Sequence, residues 1–298
     1  MMSDKPLVSA VIAAYNMAEY LPLAVRSVLA QSYKNIEVLI VDDGSTDNTR
    51  EVVEEFLGDP RINYIVQENK GQAAAKNRGV YESSGEYIAF LDADDMWAPE
   101  KLDLQIPIFS RSKALGVVYA KLICIDEKGE ELLAMPDNYV LFRGRVSNPL
   151  FIRNFIRFGT VVIRRECFER LGGFKEYIRM GIDYDLWLRF STQYEFDYVD
   201  RPLLYYRVWP GQMSNNFKGR YLNGIEIMKS FLQEFPGVID EKTEKEAWAH
   251  TYVGFGQCLR KSDRQIGPAL GFYVRALSHK LNYLPAWRAI IATFLGIK

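Results

Sequence analysis

The sequence predicts an α/β protein in which helices cover both faces of a mostly parallel sheet, followed by a helical C-terminal extension. Two observations support this prediction. The first hundred residues alternate short apolar runs with segments of helical spacing, and strands that alternate with helices form parallel sheets covered on both faces. From about Tyr221 onward, apolar residues recur with the spacing of a helix.

The alternating elements can be assigned in order along the first hundred residues. Apolar runs that suit buried strands lie at 8–15, 36–41, 62–66 and 87–91. Helices are predicted between them over 19–31, 46–57 and 71–83. In sheets of this kind, ligands bind beyond the carboxyl ends of the strands. The residues that follow the strands, at 15–16, 42–43 and 92–95, are therefore the first candidates for a site.

The middle of the chain is less regular. Strands are predicted over 117–125, 160–163, 196–199 and 203–208, and an amphipathic helix over 183–192. A turn at 127–130 is expected to lead to Leu132 and Leu133, and residues 138–154 to form an irregular surface loop over the site. We predict a domain over 1–218, divided into two halves over about 1–105 and 106–218.

A C-terminal helical region is predicted over 219–298, with breaks near Pro236, Asp263 and Pro285. Its last segment, 284–297, has an apolar stripe beside Arg288 and Lys298. Such a stripe usually packs in a core. The alternative is an interfacial helix at the cytoplasmic membrane face, which would suit a lipid-linked acceptor. The stripe consists of Trp287, Ile290, Ile291, Phe294 and Leu295.

Composition narrows the functional classes. With 48% hydrophobic and 25% charged residues, the chain is typical of globular proteins. The formal net charge of -1 gives no reason to expect nucleic-acid binding. The three cysteines are far apart, so they predict neither a disulfide framework nor a paired zinc site. No secretory signal and no run of roughly 18 apolar residues is visible. We expect a cytoplasmic protein that at most contacts the inner face of the membrane.

The acidic segment 92–95 (DADD) directly follows the fourth predicted strand. Carboxylates at such a position are costly to bury unless a positive charge neutralises them. Oxygen ligands favour Mg²⁺ or Mn²⁺, and such an ion could bridge a diphosphate. The alternative is a solvated acidic turn before a helix whose first turn contains Pro99.

A second acidic segment, 42–47, follows the second predicted strand. Alone, it could be a turn and helix cap, but together the two segments could present Asp42 to a base or ribose and Asp94 to a metal. Residues 69–72 open the third helix, where free N–H groups and Lys76 would attract phosphate. The alternative is a solvated basic helix face, especially for Arg78.

The segment 181–189 places Asp183 and Asp185 at the start of an amphipathic helix. Acidic residues there are often favoured only by the helix dipole. The functional alternative is a general base, because an acceptor hydroxyl must lose its proton to a positioned carboxylate or histidine. Both histidines of the chain, His250 and His279, lie in the helical tail. A carboxylate base is therefore favoured.

Six short motifs follow one another along the chain. They are VSAVIAAYN at 8–16, DDGS at 42–45, NRG at 77–79, LDADD at 91–95, GGF at 172–174 and DYDLWLR at 183–189. Together they resemble family-2 glycosyltransferases with the GT-A fold, over about residues 6–215. The resemblance implies a Rossmann-like sheet with a nucleotide-binding half over about 1–105 and an acceptor half over 106–218. It implies a nucleotide-diphosphosugar donor with a UDP-sugar favoured, and a sugar or lipid-linked hydroxyl acceptor. It also implies Mn²⁺ or Mg²⁺, inversion at the anomeric carbon, and a role in polysaccharide, cell-envelope or glycolipid synthesis.

The resemblance further implies roles for single residues. Asp94, with Asp92, would bind the metal, and Asp183 would be the base. Gly172, Gly173 and Asp185 would lie on the acceptor side. The residues implied in donor binding are Ala14, Tyr15, Glu19, Asp42, Lys76 and Asp92.

The chain departs from the family pattern at a few positions. Ala13 or Ala14 stands where relatives usually have proline, and Ile182 where an acidic residue often precedes the base. Trp209 stands where relatives often carry histidine, which removes a possible metal or phosphate contact.

Three other functions fit the sequence less well than sugar transfer does. A nucleotidyltransferase usually has a glycine-rich, basic loop after its first strand, whereas residues 15–19 contain neither glycine nor a cation. A non-catalytic sugar-nucleotide-binding module would be expected to lack Asp183 or Asp94, and both are present. A phosphoacceptor signalling domain would be shorter than this chain.

Overall fold

The computed structural model describes residues 5–132, 140–262 and 264–296. Its centre is an eight-stranded sheet with the strand order β3-β2-β1-β4-β7-β6-β8-β5. The strands are β1 (Val8–Ala14), β2 (Ile36–Asp42), β3 (Ile62–Val66), β4 (Tyr87–Asp92), β5 (Met96–Trp97), β6 (Leu115–Ile125), β7 (Val162–Arg164) and β8 (Glu195–Arg207).

The sheet is mostly parallel, as the sequence predicts. Strands β3, β2, β1 and β4 run parallel to one another, and β6 runs parallel to β8. Strand β7 is antiparallel to both neighbours, and the short β5 is antiparallel to β8. In the register, Ala14 is beside Asp42 and Ala13 is beside Asp92. The ends of β1, β2 and β4 therefore lie together at one edge of the sheet.

Eleven α-helices pack around the sheet in the described residues. Alternate side chains of β1 point to opposite faces, and each face has its own core. Val11 belongs to one buried cluster with Leu188, whereas Ala10 and Ile12 belong to a second with Val25. The helices are α1 (Leu21–Leu29), α2 (Thr49–Glu54), α3 (Gln72–Tyr81), α4 (Lys101–Gln105), α5 (Ser147–Ile152), α6 (Arg165–Leu171), α7 (Ile182–Ser191), α8 (Phe217–Glu234), α9 (Glu241–Ser262), α10 (Ile266–His279) and α11 (Leu284–Phe294).

The structure corrects three sequence predictions in the middle of the chain. The strands predicted over 196–199 and 203–208 are one strand, β8, in which a register irregularity near Pro202 accommodates the missing N–H. The predicted surface loop over 138–154 contains helix α5. Thr160 belongs to a 3-10 helix, and β7 begins only at Val162. Leu133 and residues 138–139 lie outside the described residues.

The C-terminal helices pack against the sheet domain rather than forming a separate core. One buried cluster extends from Val11 in β1 to Ile225 in α8, Tyr273 in α10 and Ala289 in α11. The division at residue 218 therefore stays a prediction. The break near Pro236 is confirmed, because α8 ends at Glu234 and α9 begins at Glu241. The break near Pro285 is confirmed as well, because α10 ends at His279 and Pro285 lies in the first turn of α11. Asp263 lies outside the described residues.

The apolar stripe of α11 is more exposed than a stripe packed in a core would be. The helix packs through Ala286 and Ala289, whereas Trp287, Ile291 and Phe294 are 43%, 55% and 76% exposed. The expectation of a packed stripe is wrong for these residues because α11 contacts its neighbours through its alanine face. Ile297 and Lys298 lie outside the described part of the chain. Among the described helices, none combines the length and the apolar character needed to cross a bilayer.

Candidate active site

Asp42 ends β2 at the edge where the strand ends meet. Its side chain is buried, and Oδ1 accepts a hydrogen bond from the Ser45 amide at 2.8 Å. Oδ2 accepts from the Tyr64 hydroxyl at 2.6 Å. These two bonds fix the carboxylate, but each carboxylate oxygen has two lone pairs and can accept again from a ligand.

The loop after β1 is tied to the loop after β2 through Asn16. Its φ is 55°, in the left-handed region that asparagine tolerates better than most residues. Its Oδ1 accepts from the Thr46 backbone N–H at 2.8 Å, and its own backbone N–H donates to the Ser45 hydroxyl at 2.9 Å. This geometry leaves the Tyr15 ring 46% exposed beside the strand ends, and Glu19 is exposed further along the same loop.

Asp43 holds the segment that leads into α3. Its Oδ1 accepts from the Lys70 amide at 2.9 Å, and its Oδ2 accepts from the Gly71 amide at 2.7 Å. The N–H groups of Lys70 and Gly71 are therefore not free for phosphate, because a carboxylate of the protein already binds them. Phosphate binding by the other N–H groups at the start of α3 stays a prediction. The Asp43 amide in turn donates to the Ala14 carbonyl at 2.9 Å, which locks the ends of β1 and β2 together.

Lys76 reaches from α3 to the end of β4. It is 3% exposed, and Nζ donates to Asp92 Oδ1 and to Gln72 Oε1, each at 3.0 Å. The ammonium also lies 4.1 Å from the centre of the Phe158 ring, where a cation–π attraction adds to the ion pair. The alternative of a solvated basic face is therefore excluded for Lys76.

The three carboxylates that follow β4 are not equivalent. Asp95 is 1% exposed and accepts from the Arg207 amide at 2.9 Å; burial raises its pKa well above the ordinary value. Asp94 is partly exposed, and Oδ2 accepts from the indole N–H of Trp209 at 2.8 Å. Burial and then the negative charge of Asp92 raise the pKa of Asp94. Asp95 is therefore structural, while Asp92 and Asp94 stay partly exposed.

Asp92 and Asp94 can hold a cation only with help from a ligand. Within the described ranges, no group of three His, Cys, Asp or Glu side chains is arranged as a metal site. However, the two carboxylates repel each other, and a divalent ion would relieve that repulsion. Mg²⁺-type ions are often held by one or two carboxylates together with substrate phosphates and water. The residues present fit such a shared ion rather than a cage made by protein alone.

Asp183 lies in the first turn of α7, after Gly181 with a φ of 77°. Its side chain is partly buried, and Oδ2 accepts from Asn154 Nδ2 at 2.9 Å. Burial raises the pKa of Asp183, and the Asn154 bond and the charge of Lys76 offset part of this rise. The charge of Asp92 also raises it. Asp183 therefore shares an electrostatic environment with the Lys76–Asp92 pair.

Asp185 is enclosed by two cations. It is 4% exposed, and its oxygens bind Arg189 Nε at 2.9 Å and Lys175 Nζ at 3.2 Å. The buried Arg189 in turn donates to the Gly172 carbonyl at 3.0 Å and the Gly173 carbonyl at 2.6 Å. Partners within the protein therefore occupy the carboxylate of Asp185. That Gly172, Gly173 and Asp185 lie on the acceptor side stays a prediction.

Four residues at the site were not assigned a role from the sequence. Asn154 and Phe158 lie in irregular segments, where no periodicity signals that they contact Asp183 and Lys76. Arg207 donates from Nε to the Asp94 carbonyl at 2.9 Å. In the sequence, Trp209 stands out only as a departure from the family pattern. Its hydrogen bond to Asp94 is seen only in the structure.

Sequence comparisons agree with this geometry. Residues 9–172 match the family model described as Glycosyl transferase family 2. An uncharacterized glycosyltransferase of Rickettsia prowazekii is 32% identical over 232 residues, which make up 77% of this chain and 72% of that protein. The chondroitin synthase of Escherichia coli is 33% identical over 209 residues, 70% of this chain but 29% of the synthase.

Solved structures of low sequence identity share the fold. A mannosyltransferase from Pyrobaculum calidifontis, in complex with GDP-Man and Mn²⁺, superposes with a TM-score of 0.70 at 18% identity, covering 99% of this chain and 81% of that one. Staphylococcus aureus TarS 1–349, in complex with UDP-GlcNAc, gives 0.64 at 17% identity, covering 98% and 81%. The fold is thus the GT-A type that the motifs implied. With the match over residues 9–172, the chain belongs to glycosyl transferase family 2 and is a glycosyltransferase.

Proposed function

We propose that this enzyme moves a sugar from a nucleoside diphosphate sugar to a hydroxyl of a glycan, with inversion at the anomeric carbon. The observation that carries the proposal is the set of side chains at one cleft. Lys76 forms an ion pair with Asp92 at the end of β4, and the charge of Asp92 raises the pKa of Asp94. The charges of Lys76 and Asp92 also shift the pKa of Asp183. These charge interactions support a diphosphate site near a candidate base.

In this proposal, the nucleotide binds beyond the ends of β1 and β2. Asp42 accepts a hydrogen bond from the base, and the half-exposed Tyr15 ring packs against it. Glu19 lies in the exposed loop beside Tyr15, and Ala14 supports that loop. Asp92 contacts the ribose or sugar while Lys76 lies near the diphosphate. The Lys76–Asp92 ion pair, which is 3.0 Å long, supports a site that accommodates both hydroxyl and phosphate groups.

Asp94, with Asp92, would hold the divalent ion, for which we favour Mn²⁺ or Mg²⁺. Bound there, the ion supplies Lewis-acid stabilisation of the departing diphosphate. The bound GDP-Man and Mn²⁺ of the mannosyltransferase with the same fold support this assignment.

Asp183 is the proposed general base. As the acceptor oxygen bonds to the anomeric carbon, the bond from that carbon to the diphosphate breaks and the diphosphate leaves with the electron pair. Asp183 takes the proton of the acceptor hydroxyl. A base works best when its pKa approaches the working pH, and burial raises the pKa of Asp183 in that direction.

We favour a UDP-sugar as donor and a growing polysaccharide or cell-envelope glycan as acceptor. The chondroitin synthase of Escherichia coli and the hyaluronan synthase of Pasteurella multocida, 34% identical over 207 residues, support this choice. We assign donor and acceptor binding to residues 1–218 and a supporting role to residues 219–298.

Calorimetric titration with UDP and GDP, in Mn²⁺ or in EDTA, tests the donor site. We expect UDP to bind more tightly than GDP, and only in Mn²⁺. Asp94→Asn should remove the metal-dependent part of the binding, whereas Glu82→Gln, an exposed position directly after α3, serves as a control and should not. Equal UDP affinity in Mn²⁺ and EDTA would contradict the metal assignment.

A peripheral contact with an anionic membrane is proposed for α11. Its exposed face includes Trp287, Ile291 and Phe294, and residues 264–298 contain five Lys or Arg and no Asp or Glu. An apolar face within a basic segment suits a negatively charged lipid surface. Co-sedimentation with phosphatidylglycerol vesicles should be lost in Phe294→Asp, while the remote Tyr81→Asp retains it. Absence of the unaltered protein from the vesicle pellet would exclude this contact.

A further inference from the structure

Trp209 contacts one of the proposed metal ligands and cannot bind a metal itself. We propose that Trp209 is a positioning residue for Asp94, and that its indole, which stands where an imidazole could bind the ion, leaves the remaining coordination of the ion to the nucleoside diphosphate. This inference rests on the proposed function, because it concerns how the ion and the donor share one site.

The contact is a single hydrogen bond from a neutral donor. Trp209 Nε1 lies 2.8 Å from Asp94 Oδ2, and an indole N–H only donates. The bond orients the carboxylate but leaves its negative charge in place. An ion pair would instead neutralise that charge. Arg207 fixes the same residue from the backbone side, because its Nε donates to the Asp94 carbonyl at 2.9 Å. Asp94 is thereby held in orientation while it stays able to bind a cation.

Trp209 is itself held in place by its surroundings. Its ring lies 5.5 Å from the Tyr20 ring, and the same Tyr20 ring lies 4.7 Å from the Arg207 guanidinium. The Trp209 amide donates to Gln212 Oε1 at 3.3 Å, and its carbonyl accepts from Asn215 Nδ2 at 3.2 Å. The buried Tyr20 therefore sets the positions of both residues that hold Asp94.

The consequence is a metal site that is incomplete without the donor. Asp92 and Asp94 are the carboxylates at the cleft, and no third His, Cys, Asp or Glu joins them among the residues the structure describes. A bound diphosphate supplies the missing oxygens. By linkage, the factor by which UDP tightens Mn²⁺ binding equals the factor by which Mn²⁺ tightens UDP binding. We expect that factor to be on the order of 100-fold or more, a coupling at the upper end of the usual range.

Titration of the full chain with MnCl₂, followed by the electron paramagnetic resonance of free Mn²⁺, measures this coupling directly. The experiment is run with and without UDP. Trp209→Phe keeps an aromatic ring beside Tyr20 but removes the N–H. We expect it to weaken Mn²⁺ binding in the presence of UDP by about 10- to 100-fold, as loss of a residue that orients a ligand does. Trp248→Phe in α9, whose N–H bonds Glu244, is the matched control and should bind as the unaltered protein does.

Trp209→His tests the second half of the proposal. An imidazole at this position can bind the ion, so Mn²⁺ should bind without UDP at least about tenfold more tightly and the coupling should fall. Unchanged Mn²⁺ affinity in Trp209→Phe overturns the positioning role, and unchanged nucleotide-free affinity in Trp209→His overturns the explanation of the coupling. If the unaltered protein binds UDP equally well without Mn²⁺, the proposed metal-dependent function fails instead.

Discussion

The end of β4 and the start of α7 both present acidic residues, yet their carboxylates are held in two ways. In α7, Asp185 binds two cations, Arg189 and Lys175, whereas Asp183 accepts from the neutral amide of Asn154. After β4, Asp94 accepts from the neutral indole of Trp209. The two cations therefore neutralise the carboxylate of Asp185 in place. The neutral N–H groups beside Asp94 and Asp183 orient those carboxylates without neutralising them.

The pKa values of Asp94 and Asp183 shift in the same direction. Burial raises the pKa of both, and the neutral donors Trp209 and Asn154 offset only part of the rise. A carboxylate with a raised pKa holds a proton more strongly, and its charged form gains more from a nearby cation. These contacts support the proposed roles of Asp94 and Asp183, which the following variants test.

Asp183→Asn is expected to have the largest effect on activity. The amide keeps the size of the side chain but cannot take a proton, so turnover should fall by about 10²- to 10⁴-fold. Donor binding should change little, because Asp183 is assigned to the acceptor hydroxyl. Rates of sugar transfer and calorimetric UDP affinity measure the two effects separately. A variant with normal turnover would remove Asp183 from the role of base.

Asp185→Asn should mainly reduce stability. It leaves Arg189 buried and without its carboxylate partner, and breaking a buried ion pair from one side costs about 3–5 kcal/mol. Urea unfolding measures this loss. The control is Glu55→Gln in the exposed pair with Arg26, which should cost less than about 1 kcal/mol. If Asp185→Asn unfolds like the unaltered protein but loses turnover, the two aspartates have exchanged roles.

Asn154→Ala should change the pH profile more than the maximal rate. The Asn154 bond lowers the pKa of Asp183, so its removal raises that pKa further above 3.8. Because the base acts when deprotonated, the rate rises with pH through this pKa. The acidic limb of kcat/KM should therefore move to higher pH in the variant. Asn148→Ala, which loses an exposed bond to Asp240, should leave the limb in place.

The donor side could be predicted from the sequence because it follows from local rules. Apolar runs identified β1, β2 and β4, and a parallel sheet brings the ends of such strands together. The register confirms this for Ala14, Asp42 and Asp92. Asp42 and Asp92 could therefore be predicted from strand positions alone, without any knowledge of side-chain contacts.

Other parts of the candidate site depend on contacts that the sequence does not reveal. Asn154 is 29 residues from Asp183 and lies in a segment without periodicity. Trp209 is 115 residues from Asp94. Asp183 and Asp185 look equivalent in sequence, and only the positions of Arg189, Lys175 and Asn154 distinguish them. Short elements such as β5 and α4 were missed because two to five residues are too few to show a period.

The stereochemistry of the reaction tests the central claim, direct displacement assisted by Asp183, most directly. Incubation with Mn²⁺ and an α-linked UDP-sugar, with water as acceptor, releases a free sugar whose anomeric proton can be followed by NMR before mutarotation. The account predicts that the β anomer appears first and that Asp183→Asn slows its release. Initial release of the α anomer would mean retention of configuration, and it would contradict a single displacement in this cleft.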